Sequence, residues 1–470
     1  MPDAQPHTEP TPPHAPIDLI DELTWRGLLY QCTDEAALRK HLAGGRRRVY
    51  AGFDPTADSL TIGNLVPIML LRHVQRAGHE PVVIMGGGTG LIGDPSGKSA
   101  ERQLMTRETV DQNIAAQRPI FDAVLGEGVK VVNNADWLTR ISFLDALRGI
   151  GKHFSINMMM QKDSVKSRLE DRDQGISYTE FSYMILQAFD FAFLHRAMGV
   201  TVQCGGSDQF GNMVAGTDLV RRVKFREFVF SQGGGLFDPS ALDKPMADDP
   251  EGATPAEKLA PQAFAFTAPL VSKADGGKFG KTESGAIWLT RERTSPYAYY
   301  QFWLNTADSD VGRFLKTFTL LPRTEIERLE REVQDNPSKR EAQRTLAREA
   351  TSLLHGEDEA AQAESAGKAL FSGDIRGLPA QLLDEVLGGA PATIASKDSL
   401  GTGLFVLNLL IETGLAKSKR EAKQFLESGS VSVNGDKADA DRAITANDLL
   451  HGKIVALRRG KKNWHVLRFE

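Results

Sequence analysis

Three short segments, far apart in the chain, mix glycines with polar groups of the kinds that hold nucleotides. The first runs Tyr50-Ala51-Gly52-Phe53-Asp54-Pro55-Thr56 and on to Thr61-Ile62-Gly63-Asn64. A helix beginning near Ile62 aims free backbone N–H groups and its positive end at phosphate. Gly52 and Gly63 allow a nucleotide close to the backbone. The second segment, Gly205-Gly206-Ser207-Asp208-Gln209-Phe210-Gly211-Asn212, closes an apolar run. A carboxylate at a strand end can accept from sugar hydroxyls. The third, residues 273–282, sets Lys278 and Lys281 among Gly276, Gly277 and Gly280. Two cations on a pliable loop can close over a leaving phosphate group, although such a loop alone reads equally as a hairpin tip. A fourth pattern is helical. Tyr183 and Gln187 are four residues apart and Gln187 and Asp190 three, so all share one face of a helix rich in Phe, Met, Ile and Leu. Polar groups so placed need buried partners. Either a ligand with an ammonium and a hydroxyl supplies them, or they form a structural cluster beneath a loop.

The elements that must position these residues are those of an α/β sheet. Residues 48–53 (RVYAGF) read as a strand ended by Asp54-Pro55, a helix follows from about 62 to 76, and 81–85 is a second strand leading to glycines. Residues 200–204 form a later strand. This is the opening of a doubly wound sheet, where ligands sit at the carboxyl ends of strands. Residues 226–262 read as a loop or insertion, 295–387 as mostly helical, 388–398 as a linker, and the last 70 residues as a small α+β unit. Helices are expected there near 403–412 and 418–428, with strands around the hairpin turn Asn434-Gly435.

Two motifs mislead. Gly88-x-Gly90-x-x-Gly93 has the form of a dinucleotide fingerprint, but Asp94-Pro95 follows where a long helix should continue. The segment 93–99 (GDPSGKS) is one residue too short to wrap phosphate as a P-loop.

The 470 residues imply two or three domains, and 41% hydrophobic with 25% charged residues is ordinary globular composition. No apolar run is long enough for a membrane span, and residues 1–16 read as a disordered tail rather than a signal peptide. Two cysteines, Cys32 and Cys204, cannot build a disulfide framework, so a reducing cytoplasm is expected. Net charge is −5, but residues 401–470 hold 12 Lys/Arg against 8 Asp/Glu, leaving 44 against 53 for the remainder. A basic end on an acidic body suits a polyanion partner.

Together the segments resemble the class I aminoacyl-tRNA synthetases, with 61–64 at the position of the His-Ile-Gly-His signature and 273–284 at that of the mobile lysine loop. Asp94 and the Tyr183/Gln187/Asp190 pattern narrow the resemblance to the bacterial-type tyrosyl enzymes over residues 17–470, except 226–262. It implies a Rossmann-like doubly wound parallel-sheet catalytic domain (17–290), an α-helical anticodon-side domain (291–390) and an S4-like RNA-binding domain (400–470). It implies that Lys278, Lys281, Thr56, Thr61 and Asn64 serve catalysis at the phosphates. Gly52, Asp54, Gly63, Gly206, Asp208 and Lys281 are assigned by it to ATP, and Asp94, Tyr183, Gln187 and Gln209 to tyrosine, with Tyr50 and Asp190 at the phenolic hydroxyl. Lys417, Lys419, Arg420, Lys423, Arg458 and Arg459 are expected to meet tRNA, with Arg102 at the acceptor stem. ATP with Mg2+ is implied as substrate, with no tightly bound cofactor and no resident metal. A homodimer is implied, with contact near 150–180. The alternative is a synthetase-derived RNA-binding protein that no longer activates tyrosine.

Both signature histidines are replaced, by Thr61 and Asn64. Asn64 keeps a neutral N–H donor; Thr61 is shorter and carries no charge. A lost hydrogen bond to developing charge costs about 1–3 kcal/mol, a slowing of roughly tenfold to a hundredfold. A histidine restored at 61 is therefore expected to speed adenylate formation.

Overall fold

The computed structural model describes residues 17–94, 105–161, 165–166, 176–222, 262–277, 279–282, 285–460 and 462–470. The 1–16 tail, Arg102, Lys278, Lys461 and 226–261 of the insertion lie outside the described residues. Contacts divide the chain into two units: residues 1–295 with 305–346, and residues 296–304 with 347–470.

The first unit is built on six strands: β1 (Gln31–Cys32), β2 (Arg48–Phe53), β3 (Glu80–Met85), β4 (Lys130–Asn133), β5 (Val200–Gly206) and β6 (Phe264–Ala268). Their order is β1-β6-β5-β2-β3-β4. All neighbours are parallel except the edge strand β1. From β2 the chain moves outward through β3 and β4, then returns to the other side of β2 as β5. The order reverses between β2 and β5, and a crevice opens at their carboxyl ends. Those ends carry Gly52-Phe53-Asp54 and Gly205-Gly206-Ser207-Asp208.

Helices on the sheet bring the remaining residues to that crevice. A one-turn 3-10 helix, Ile62–Asn64, leads directly into the helix Leu65–Arg76. The helix Tyr178–Met198 starts at Ser177, whose hydroxyl accepts from the Glu180 N–H at 3.2 Å, and stops at Gly199 with φ 64. It is apolar nearly all round, so it lies inside. Phe189, Phe191, Phe193 and Leu194 share one core with Tyr50 of β2 and Trp137. The glycine cluster after β3 makes only a single turn, Thr89–Leu91. Among the described residues no long helix follows this turn up to Asp94. Residues 95–99 of the short P-loop lookalike lie outside the described residues.

The segment that carries the lysine loop is anchored at both ends. The Ala274 N–H donates to Asp310 Oδ1 at 3.0 Å. Phe279 stacks on Phe318 with ring centres 5.3 Å apart and meets Phe314 edge-on. Downstream, the backbone N–H groups of Ile62 and Leu289 donate to Ile287 and Leu60 at 3.0 and 2.8 Å. The two signatures are thus stitched side by side.

The second unit has a five-stranded sheet in the order 436–437, 431–433, 454–459, 463–469, 392–395. Alternate residues serve two cores. Val455, Leu457 and Leu467 pack with helices 406–412 and 419–427, while Ile454, Ala456 and Val466 pack with helices 357–372 and 380–387. The 388–398 stretch, read above as a linker, instead contributes the edge strand Ala392–Ala395, which pairs in parallel with residues 466–469. Its apolar residues complete a sheet edge, a long-range pairing that local composition does not signal. Asn434 (φ 50) and Gly435 (φ 100) form the expected hairpin turn. Among the described residues no helix is long and apolar enough to cross a membrane.

At Gly435 a Cβ would stand 2.3 Å from the Gly373 carbonyl oxygen, at a φ that side chains disfavour. Gly435→Ala is therefore expected to destabilise the second unit by about 1–3 kcal/mol. Thermal unfolding checks this; an unchanged melting temperature would show that the turn relaxes freely.

Candidate active site

Fourteen residues singled out from the sequence line one cleft of about 570 Å3 in the first unit. They are Tyr50, Gly52, Asp54, Thr56, Thr61, Gly63, Asn64, Asp94, Tyr183, Gln187, Asp190, Gly206, Asp208 and Gln209. Phe279 of the lysine-loop segment also lines it. Lys281 lies on the short strand Lys281–Thr282, which pairs with Gly285–Ala286.

At the closed end lies a buried carboxylate. Asp190 is 4% exposed. Its Oδ1 accepts from the Trp137 indole N–H at 2.7 Å and its Oδ2 from Asn134 Nδ2 at 2.9 Å. Burial pushes its carboxyl up to about 7, and the two donors pull the other way. The Tyr50 hydroxyl is buried with no hydrogen-bond partner among the described residues. Burial, with the neighbouring Asp190, holds that phenol neutral, well above its usual range. A neutral buried donor beside a donor-hungry carboxylate is a receptor for a second hydroxyl.

A chain of bonds leads outward from Asp190. Asn134 Nδ2 also donates to Thr89 Oγ1 at 3.0 Å, and its Oδ1 accepts from the Gly88 N–H at 2.7 Å. Thr89 donates to Asp54 Oδ1 at 2.9 Å, and the Tyr183 hydroxyl to Asp54 Oδ2 at 2.8 Å. Asp54, assigned above to the nucleotide, thus has a carboxylate bound to a residue of the amino-acid group. A second chain starts at Asp94, whose Oδ2 accepts from Gln209 Nε2 at 2.6 Å. Asn212 Nδ2 donates to both Gln209 Oε1 and Gln187 Oε1, at 3.3 and 3.0 Å. These carboxylates and amide oxygens make an acceptor-rich middle of the cleft, suited to an ammonium.

The open end is nucleotide-like. The helix Leu65–Arg76 points its N-terminus there through the 61–64 turn. Burial raises the Asp208 carboxyl, against the pull of its bond from Gln209. Asn134, Trp137 and Thr89 escaped the sequence reading, and Asn212, which closes the second segment, carried no role in it. Asn134 follows directly on β4, so the strand-end rule could have found it; the indole of Trp137 has no such signal.

In the second unit, Lys417, Lys419, Arg420 and Lys423 are exposed at the start of the helix Lys419–Glu427. Ser418 caps it, its hydroxyl accepting from the Glu421 N–H at 3.2 Å. Arg458 and Arg459 are differently employed. Arg458 donates to the carbonyls of Phe371 and Ser372 at 3.2 and 2.9 Å and covers the Trp464 ring. Arg459 donates to the Leu415 carbonyl at 2.6 Å and lies over Phe425.

A parallel sheet with its cleft at the switch point, a helix N-terminus at one end and a downstream loop stitched beside it define a class I tRNA synthetase. The family model "tRNA synthetases class I (W and Y)" matches residues 43–372, and "Tyrosine--tRNA ligase SYY-like C-terminal domain" matches 386–467. The tyrosine–tRNA ligase of Geobacillus kaustophilus is 45% identical over 459 residues, 96% of this chain and all of that one. That of Geobacillus stearothermophilus is 44% identical over the same shares. A C-terminally truncated mitochondrial tyrosyl-tRNA synthetase of Aspergillus nidulans superposes with TM-score 0.61 at 31% identity, covering 75% of this chain and 94% of that one. The chain belongs to the tyrosine–tRNA ligase family.

Trp137→Phe keeps a ring to stack on Phe193, 4.5 Å away, but removes one donor to Asp190. The carboxyl should then titrate higher. If the ionised Asp190 accepts from the tyrosine hydroxyl, tyrosine affinity should fall away at a higher pH on the acid side. Calorimetric titration across neutral pH checks this; an unmoved acid limb would show that Trp137 does not tune the carboxylate.

Proposed function

We infer that this chain activates L-tyrosine with ATP and transfers the tyrosyl group to tRNA(Tyr), releasing diphosphate and AMP. The observation that carries the amino-acid choice is the closed end of the cleft. There the neutral Tyr50 hydroxyl, without a partner among the described residues, and the buried Asp190 carboxylate can share one ligand hydroxyl. Phenylalanine fits the apolar walls but leaves both groups unsatisfied, a penalty of about 1–3 kcal/mol for each.

The chemistry asks mainly for placement. The tyrosine carboxylate attacks the α-phosphorus, the bond to diphosphate breaks, and negative charge grows on the phosphate oxygens. Asp94, Tyr183 and Gln187 hold the ammonium, so the carboxylate is directed toward the open end. Thr56 and Asn64 face the phosphates, and Gly52 and Gly63 leave them room. Asp208 and Gly206 take the ribose. Lys278 and Lys281 would neutralise the departing diphosphate, ATP entering as its Mg2+ complex. Positioned donors in a cleft supply the rate. Lys417, Lys419, Arg420 and Lys423 form the tRNA surface of the S4-like domain, and their exposure suits phosphate contact. Arg458 and Arg459 join that surface while also bracing the domain through backbone carbonyls.

The protein works as a cytoplasmic homodimer in this reading. Phe143, Leu144, Leu147, Ile156, Met158 and Met160 are all exposed on the first unit, Leu144 by 75%. A second copy of the same apolar face covers them.

Purified protein with Mg-ATP is expected to catalyse tyrosine-dependent, phenylalanine-independent pyrophosphate exchange, and Asp190→Ala to lose it. No exchange in the parent protein would leave an RNA-binding protein that does not activate tyrosine. Leu144→Glu with Ile156→Glu is expected to sediment as a folded monomer. A persisting dimer would place the interface elsewhere.

A further inference from the structure

The Thr61-Ile62-Gly63-Asn64 turn has a hydrogen-bond order that its sequence does not announce. The backbone N–H of Thr61 donates to Asn64 Oδ1 at 3.1 Å, and the Thr61 hydroxyl donates to the same oxygen at 2.9 Å. A backbone N–H can only donate, so the amide atom facing it must be the oxygen. The hydroxyl must then donate as well, and both orientations are settled without ambiguity. Asn64 lines the cleft, and its Nδ2, on the side of the amide away from Thr61, has no partner among the described residues.

The turn itself is held. Asn64 N–H donates to the Thr61 carbonyl at 2.9 Å, and Thr61 bridges to Trp288 beyond the lysine loop. Asn64 also sits at the head of the helix Leu65–Arg76. Its free N–H donors therefore project where helix and cleft meet, at the end suited to phosphate.

We propose that Thr61 is a positioning residue: its hydroxyl locks the Asn64 amide so that Nδ2 faces the nucleotide, and it makes no phosphate contact of its own. Threonine and asparagine thus act as one unit where the family signature has two histidines. The pair presents one neutral, pre-aimed donor. This overturns the expectation that a histidine at 61 speeds adenylate formation. A histidine there withdraws the hydroxyl that orients Asn64, and gains nothing at a turn already committed to that bond.

The inference rests on the reading of Asn64 as a nucleotide donor, and the variants separate the two. In tyrosine-dependent pyrophosphate exchange, Asn64→Ala should lower kcat about tenfold or more. Thr61→Val, nearly isosteric but without the donor, should lower kcat about fivefold to tenfold while leaving the KM for tyrosine unchanged. Thr61→Ser should restore activity to within about twofold, since it keeps the hydroxyl. The double variant Thr61→Val/Asn64→Ala should be no slower than Asn64→Ala alone, because a positioning residue has nothing left to position. Thr61→His should fall below the parent. Equal melting temperatures would exclude a folding cause for these losses. Full activity in Thr61→Val beside an impaired Asn64→Ala would overturn the proposal and leave the site reading intact. So would multiplying losses in the double variant, or a gain in Thr61→His. Full activity in Asn64→Ala would overturn the site reading itself.

Discussion

A carboxylate held in the protein interior governs the arrangement of the catalytic unit. Asp190 has almost no contact with solvent, so its charge survives only through the donors fixed around it. Two are supplied from one short stretch after β4, where Asn134 and the Trp137 indole converge on its two oxygens. Fixing Asn134 requires its oxygen to be occupied, and the Gly88 N–H does this. The glycine turn after β3 is therefore part of the amino-acid site, though its glycines imitate a dinucleotide motif. Gly86 and Gly87 show the same constraint, since a Cβ on either would stand within about 2.2 Å of Asp54 or Asn133 side-chain oxygens.

The same network links the two ends of the cleft. From Asp190 it runs through Asn134 and Thr89 to Asp54 and Tyr183, without leaving side-chain bonds of ordinary length. A residue that reads as nucleotide-binding by its place after β2 is thereby bound to one that reads as amino-acid-binding on the 178–198 helix. The nucleotide end is built differently, from backbone and a helix terminus rather than from buried charge. It is tied to the lysine-loop segment by main-chain bonds between 60–62 and 287–289. In the proposed function one end selects by its buried polar groups and the other aligns the reaction.

Much of this was legible because the signals are local. The apolar run 48–53, closed by Asp54-Pro55, can hardly be anything but a strand and its turn. The spacing of Tyr183, Gln187 and Asp190 puts three polar groups on one helix face wherever that helix lies. The Asn-Gly hairpin at 434–435 declares its own backbone conformation. What stayed hidden depends on distant partners. Ala392–Ala395 is a strand only because 466–469 offers it an edge. Trp137 is an ordinary core aromatic until its indole N–H meets Asp190. Arg458 and Arg459 look like phosphate ligands in sequence, and only the structure shows that they also bind the carbonyls of Phe371, Ser372 and Leu415. Residue type states what a group can do; the partner decides what it does.

The buried acid also sets how ligand and fold interact. In the folded chain Asp190 titrates near 7 rather than at its ordinary 3.8, because burial disfavours its charge. The folded protein therefore binds this proton more tightly than the unfolded chain does. The resulting stabilisation is fully present below 3.8 and is lost as pH rises through about 7. Near neutrality and above, Asp190 is ionised, with Asn134 and Trp137 each giving it one donor. A phenol can donate to Asp190 and accept from Tyr50, whereas a benzene ring shuts the charge away from water without a donor. In the proposed function, discrimination between the two amino acids and the pH dependence of the fold thus share one origin, the buried Asp190 charge.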